Sequence, residues 1–410
     1  MNRKQFLRVA LLCFVIACSK QEVKEASNRA KDKVADAFDV AVPIGKDDPA
    51  AREKERFDEK WRELNVFRNV KQGPPAPPTV AGVNVTFAPN GKESFAGLDP
   101  STINSALVVV PIKGDVAGPS VLKTQVYLDR LHFSIGAIDG RWGRNSAITL
   151  WWYQRMNGIA AEEPGALDES TFRALAAATG GVPPLVQRTL SEDDVKGPFV
   201  SVPEDVYEKE SLQCLCYESK GEEIAEHFHT TIELLEQVNP DRDLADLHAG
   251  DSIWVPNVRE AFTMDDPDIA RIVISIRGNT FNAFDAAGNL VFHAPTTLGS
   301  KYDPSPNETA AVRKVTFDPH FHYQPTLFHE VPDTDPEAHL PAGPNSPVGV
   351  VWIALSKPHF GIHGTSDPES IGYVSSHGCV RLTNWDAQEV GHRVRPGVPV
   401  EFVDTVRASP

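Results

Sequence analysis

One stretch near the C-terminus constrains this chain more than any other: His363-Gly364-Thr365, followed by Ser375-Ser376-His377-Gly378-Cys379-Val380-Arg381-Leu382. A thiol at neutral pH is a modest nucleophile until a neighbouring base or positive charge favours its thiolate. His363 precedes Cys379 by 16 residues. That is too far for the i,i+4 spacing of a helix face, so strand and turn must bring the two together. Gly364 and Gly378 flank the pair, as is needed where backbone N–H groups approach an oxyanion. The pattern predicts a cysteine acyl-transfer site that requires no cofactor.

The N-terminus predicts where such a site works. Arg3, Lys4 and Arg8 precede an uncharged apolar run, Val9 to Ala17, which is too short to span a bilayer. Val15-Ile16-Ala17-Cys18 resembles a bacterial lipobox, which implies a lipoprotein signal peptide over 1–17, cleavage before Cys18 and lipid on that cysteine. A plain secretory signal is the alternative. By resemblance to diderm lipoproteins, Ser19 in place of Asp implies an outer-membrane anchor with the body facing the periplasm. The formal net charge of −16 argues against a nucleic-acid partner, whose binders carry a clustered basic face. Of the five cysteines, Cys13 falls in the signal and Cys18 carries lipid. Cys214, Cys216 and Cys379 remain, an odd number in an oxidising compartment. Cys214 and Cys216 either pair or both stay reduced; the sequence leaves this open.

At 410 residues the chain has room for two or three domains of ~150 residues. Residues 18–79 read as a charged tether with one amphipathic helix (Phe57, Trp61 and Leu64 on one face) and a stiff Gly73-Pro74-Pro75-Ala76-Pro77-Pro78 spacer. Residues 80–118 hold short β-like runs such as Ala106 to Ile112 and remain unassigned. Residues 119–180 read as three helices. The first face starts at Leu122, Val126 and Leu128; the third helix is capped by Asp168. The Ile138-Asp139-Gly140 turn and the Tyr153-Gln154 pair make this unit similar to the three-helix peptidoglycan-binding domain. A module that only packs against its neighbour is the plainer reading. Residues 205–257 read as β-α-α-β, with helices at Glu222 to Phe228 and Thr231 to Val238 and a closing strand in Ile253-Trp254-Val255. This resembles a LysM glycan-binding module, although Ser219-Lys220-Gly221-Glu222 stands where such modules open with Gly-Asp-Thr/Ser-Leu.

From Ile269 the pattern turns to strands: Arg271 to Ile276, Thr280 to Phe284, Leu290 to Pro295, and finally Val398 to Val403. Together with Gly343-Pro344-Asn345-Ser346-Pro347-Val348-Gly349, Ile362-His363-Gly364-Thr365 and Ser376-His377-Gly378-Cys379-Val380-Arg381-Leu382, residues 268–404 resemble the YkuD-type L,D-transpeptidase catalytic domain. The resulting fold class is multidomain α+β: a small three-helix module, a βααβ LysM-like module and a mainly β catalytic domain. Residues 300–345, rich in Pro, Asp and His (His320, His322, His329, His339), depart from the family pattern and read as an insertion contributing to a lid.

The resemblance implies the chemistry. Cys379 attacks a stem-peptide carbonyl and His363 takes its proton, oriented by the Gly364 carbonyl. The N–H groups of His377, Gly378 and Cys379 receive the oxyanion. Ser376 and His377 line the cleft, His377 also polarising the thiol, and Arg381 meets a carboxylate or buttresses the loop. Partners are then peptidoglycan stem peptides and glycan strands, with the membrane reached through the N-terminal lipid. A second amine gives a 3-3 cross-link, water gives L,D-carboxypeptidase activity, and other amines give attachment or exchange. Two rivals are weighed against this. A zinc site of His359, His363, His377 and Cys379 is disfavoured because Pro358 and Gly361 oppose the helix that i,i+4 ligation needs; no metal is assigned. A non-catalytic wall-binding lipoprotein is disfavoured by the complete His363/Cys379 pair.

Overall fold

The computed structural model describes residues 85–403 apart from 90–92, 94–96, 261, 264–265, 301–302 and 307. The signal segment 1–17, the lipidation residue Cys18 and the tether 18–79 lie outside the described residues. No helix among the described residues is long and apolar enough to cross a membrane.

In the previously unassigned region, β1 (Thr86–Pro89) pairs in parallel with β2 (Leu107–Val110), with the short α1 (Pro100–Ile103) between them. The ladder of β3 (Val116–Ala117) and β4 (Arg141–Trp142) brackets α2 (Pro119–Arg130). Two further helices, α3 (Arg144–Met156) and α4 (Glu169–Ala178), complete the three-helix unit. The Asp168 carboxylate accepts from the Thr171 N–H at 2.7 Å, satisfying an orphan donor at the start of α4. Buried Gln154 donates to the Ala166 carbonyl and accepts from the Gly165 N–H, both at 2.9 Å, and so fixes the turn into α4. Trp142 and Trp152 are core residues with 3% and 0% exposure. Their faces are therefore closed to a sugar.

The βααβ unit is made of β5 (Leu185–Thr189), α6 (Lys220–His227), α7 (Ile232–Val238) and β6 (Ser252–Pro256). The ladder is antiparallel, from Leu185 opposite Pro256 to Thr189 opposite Ser252. The unit thus begins about twenty residues before the expected boundary at 205, and residues 205–219 hold no strand. Its opening strand was obscured because Gln187, Arg188 and Thr189 are exposed and leave only Leu185 and Val186 as apolar signal. Residues 190–219 are inserted between β5 and α6. They carry α5 (Val206–Glu210) and a Cys214–Cys216 disulfide, which leaves Cys379 as a free thiol.

The large sheet contains β7 (Arg271–Ser275), β8 (Thr280–Phe284), β9 (Leu290–Pro295), β10 (Ala310–Phe317), β13 (Val351–Leu355), β14 (Gly361–His363), β15 (Val380–Arg381) and β16 (Pro399–Val403). Their spatial order is β15-β14-β13-β10-β16-β7-β8-β9. Apolar side chains from the strands and from α8 (Asn384–Arg393) close one core, including Ile272, Phe281, Phe292, Ile353, Ile362 and Val390. The three-helix unit docks on the β9 edge. The Ser134 N–H donates to the His293 carbonyl at 2.8 Å, and the His293 N–H donates to the His132 carbonyl at 2.9 Å.

The structure corrects the reading of 300–345 as one insertion. Residues 310–317 are β10, an interior strand between β13 and β16. Its exposed Arg313 and Lys314 hid the alternation; the ladder shifts register at that point. The rest of that stretch, residues 318–345, lies outside the large sheet. They fold as the hairpin of β11 (Phe321–Tyr323) and β12 (Ala338–Leu340), joined by a loop that carries Phe328, His329 and Glu330.

Candidate active site

Strands β14 and β15 run parallel, with Ile362 opposite Val380 and His363 opposite Arg381. Side chains alternate across a strand, so His363 and Arg381 fall on the same side of the sheet, and Cys379 stands in the bend immediately before β15. Sixteen residues of sequence separation thus collapse to a cross-ladder neighbourhood. Trp352 on β13 is paired with His363 from the other side, and its ring stacks on the imidazole at 5.3 Å between centroids.

The His363 ring is buried and its Nδ1 lies 2.7 Å from the Gly364 carbonyl oxygen. A carbonyl only accepts, so Nδ1 carries the proton and Nε2 holds the basic lone pair. Burial, and then the Arg381 guanidinium, push His363 down to about 3, although the Gly364 carbonyl favours its charged form. Burial also pushes the Cys379 thiol up, against the opposing pull of the Gly361 backbone and Arg381. The resting pair is therefore thiol and neutral imidazole. Cys379 as a residue is part-exposed, and its sulfur lies 3.6 Å from the His359 carbonyl.

The loop around the thiol is over-determined. The Ser376 N–H donates to the Leu298 carbonyl at 2.7 Å, and the Ser376 hydroxyl donates to the Cys379 carbonyl at 2.6 Å. The Gly378 N–H donates to the Ser376 oxygen at 3.2 Å, so this expected oxyanion donor already has a partner. Gly378 has φ +105°, and a Cβ there would stand 2.9 Å from the Phe360 ring. No other residue fits without moving the loop. The Arg381 main chain is strapped to Thr297 by N–H to carbonyl bonds of 2.9 and 3.1 Å. The buried Arg381 Nε has no hydrogen-bond partner among the described residues.

His377 is placed differently from the expectation that it polarises the thiol. Its Nε2 lies 2.8 Å from Glu330 Oε1, and the Phe328 ring meets its imidazole edge-on at 4.8 Å. The 318–345 loop therefore reaches the Cys379 loop through His377. The disfavoured quartet of His359, His363, His377 and Cys379 does not converge. The metal-competent group of three or more such side chains among the described residues is Asp303, His329, Glu330 and His377.

Sequence reasoning missed Asn384, which follows the Thr383 cap of α8. Its Oδ1 accepts from the Val350 and Thr365 N–H groups at 3.3 and 3.2 Å. Its Nδ2 donates to Glu226 of α6 at 2.9 and 3.2 Å. A Cβ on Gly364 would sit 2.2 Å from Asn384 Oδ1, so the glycine after the histidine is required by this asparagine. Trp352 was also missed, since its position in β13 carries no local signature. The Gly343-Pro344-Asn345 loop is gripped by the disulfide segment. The Leu215 N–H donates to the Ala342 carbonyl and the Asn345 N–H to the Leu215 carbonyl, both at 2.9 Å.

This arrangement agrees with what the chain is similar to. The YkuD family model, an L,D-transpeptidase catalytic domain, matches residues 269–402. The putative L,D-transpeptidase YkuD of Bacillus licheniformis is 32% identical over 182 residues, which cover 44% of this chain and 92% of that protein. The probable L,D-transpeptidase YbiS of Escherichia coli K12 is 40% identical over 65 residues, 16% of this chain and 21% of that protein. Among solved structures, L,D-transpeptidase 3 from Mycobacterium tuberculosis is 18% identical, covers 38% of this chain and 75% of that chain, and superposes with a TM-score of 0.28. On the family model and the Bacillus licheniformis relative, the chain belongs to the YkuD family of L,D-transpeptidases.

Proposed function

We propose that this protein is a peptidoglycan L,D-transpeptidase that works through a Cys379 acyl-enzyme. The observation that supports the reading is the β14–β15 register, which sets His363 opposite Arg381, two residues after Cys379, with the buried imidazole held through Nδ1 by the Gly364 carbonyl. The Cys379 sulfur attacks the carbonyl of the third stem-peptide residue as its proton passes to His363 Nε2. The C–N bond to the terminal D-amino acid then breaks, and the imidazolium returns the proton to the leaving amine. An acceptor amine from a second stem attacks the thioester, losing a proton to His363, and the thiol is regenerated with a 3-3 cross-link formed. The N–H groups of His377 and Cys379 receive the oxyanion, and Gly378 joins them if its bond to Ser376 opens. The Arg381 Nε–H, buried without an acceptor among the described residues, is the donor offered to a substrate carboxylate. Water in place of the second amine gives carboxypeptidase activity at the same site. Lipid at Cys18, a periplasmic location, and sugar binding by the three-helix and βααβ units belong to this reading. With Trp142 and Trp152 closed off, any stacking on sugar by the three-helix unit falls to Trp151.

The test is incubation with a purified tetrapeptide muropeptide, with products read by mass spectrometry. The wild type yields a dimer, a tripeptide or an exchanged product; Cys379→Ala yields none. Cross-links made by Cys379→Ala would refute the nucleophile. A carbapenem adduct mapped to any peptide lacking Cys379 would do the same.

A further inference from the structure

We propose that Asp303, His329, Glu330 and His377 form a binding site for a divalent transition-metal ion, zinc by donor type, which fastens the 318–345 insertion to the catalytic loop. The four ligand atoms lie within 4.8 Å of one another. They come from three separate segments: the loop after β9, the insertion loop and the Cys379 loop. His329 Nδ1 is 2.7 Å from Asp303 Oδ2 and 3.6 Å from Glu330 Oε2, while the other Glu330 oxygen is 2.8 Å from His377 Nε2. One imidazole proton serves one acceptor, yet two carboxylates approach the same Nδ1. A cation at the centre satisfies both carboxylates and both rings at once. Zinc takes imidazole nitrogen and carboxylate oxygen at about 2.0–2.2 Å in a tetrahedron, so its ligand atoms stand roughly 3.4 Å apart. The observed separations, at most 4.8 Å, need changes of about 1.4 Å or less to reach that geometry, by side chains of which two are exposed. Softer thiolate-seeking ions are disfavoured, because no sulfur belongs to the group.

The scaffold around the four supports the assignment. Asp303 is positioned by a loop already fastened to the catalytic segment: the Ser305 hydroxyl donates to the Gly378 carbonyl at 2.8 Å, and the Ser300 N–H donates to the Ser376 carbonyl at 3.2 Å. Phe328, next to His329, packs on the His377 ring and fixes its direction. His377 would thus serve as a ligand that couples metal occupancy to the position of the insertion loop, two residues from the nucleophile. The proposal concerns binding and stands whether or not the acyl-transfer reading does.

The full chain carrying Cys379→Ala, in which the catalytic thiol cannot ligate, is titrated with zinc alone and followed by calorimetry and melting temperature. We expect one zinc per chain and a melting temperature that rises with zinc. Adding His329→Ala and Glu330→Gln should weaken binding at least ~100-fold and remove the thermal shift. Cobalt(II) bound to the folded Cys379→Ala chain should show ligand-field bands without thiolate charge transfer. Unchanged affinity in the triple variant, no zinc bound by Cys379→Ala, or thiolate charge transfer in the cobalt form would each overturn the site. Because the cobalt spectrum is read on Cys379→Ala alone, the test survives if the triple variant fails to fold.

Discussion

Arg259 Nη2 lies 2.6 Å from Asp386 Oδ1, with both side chains almost completely buried. The same guanidinium reaches Glu389 at 2.7 Å and also contacts Asp129. Asp129 belongs to α2, Asp386 and Glu389 to α8, and Arg259 to the segment leaving β6, so one cation joins three parts of the fold. Burial opposes ionisation of Glu389, yet Arg259 and His132 hold it down to about 2. Arg259→Ala leaves three buried carboxylates without their shared cation. We expect a loss of about 3–5 kcal/mol in urea unfolding, and separation of a single transition into two. A single transition at wild-type midpoint would show that the network contributes nothing.

The pH profile of acylation should betray the depressed His363. An ordinary histidine, at 6.5, would be almost wholly protonated at pH 5 and its rate cut roughly 30-fold. With His363 at about 3, the carbapenem acylation rate should fall less than about threefold between pH 7 and pH 5. A limb centred near 6.5 would mean that the imidazole is not held neutral in solution.

Asn384 ties the histidine loop to α6, and its removal tests that link. Asn384→Ala strands the Val350 and Thr365 N–H groups, at about 1–3 kcal/mol for each. Acylation by muropeptide should drop by about tenfold or more. Alkylation of Cys379 by iodoacetamide should be unchanged, because the thiol itself is untouched. Asn384→Asp retains the accepting oxygen but places it beside Glu226. Partial rescue by this variant at low pH, and little at high pH, would identify a positioning role.

Glu226 sets an opposite pH dependence. Burial raises its carboxyl to about 7, with Glu222 adding to the effect and Asn384 opposing it. A raised carboxyl contributes its stability below the unfolded value of 4.5 and loses it as pH climbs through 7. Glu226→Gln should therefore gain on the wild type by on the order of 3 kcal/mol at pH 8 relative to pH 4.5. Equal urea midpoints across that range would refute the buried protonated state.

Much of this architecture was legible because it is written in local patterns. The strands β7, β8, β9 and β16 show as apolar runs broken by turn residues, and α7 and α4 show their Thr231 and Asp168 caps. Residue type and flanking glycines single out His363 and Cys379 as the candidate pair. What escaped depends on distant partners. β10 carries charge where it crosses the sheet, and β5 has two apolar residues of its own. Asn384 and Trp352 gain meaning only when Gly364 and His363 are folded against them. His377 was assigned to the thiol because it is near in sequence, whereas Glu330 claims it from 47 residues away.

The position of β16 has a consequence for how such an enzyme comes into being. It is laid between β7 and β10, so without residues 399–403 the meander of β7 to β9 and the ladder of β10 to β15 lose the strand that hydrogen-bonds to both and keep the Thr297–Arg381 strap. Every other strand of the sheet precedes β16 in the chain and is made before it. Until β16 is added, Cys379 sits on a half-sheet whose β10 edge lacks its second partner.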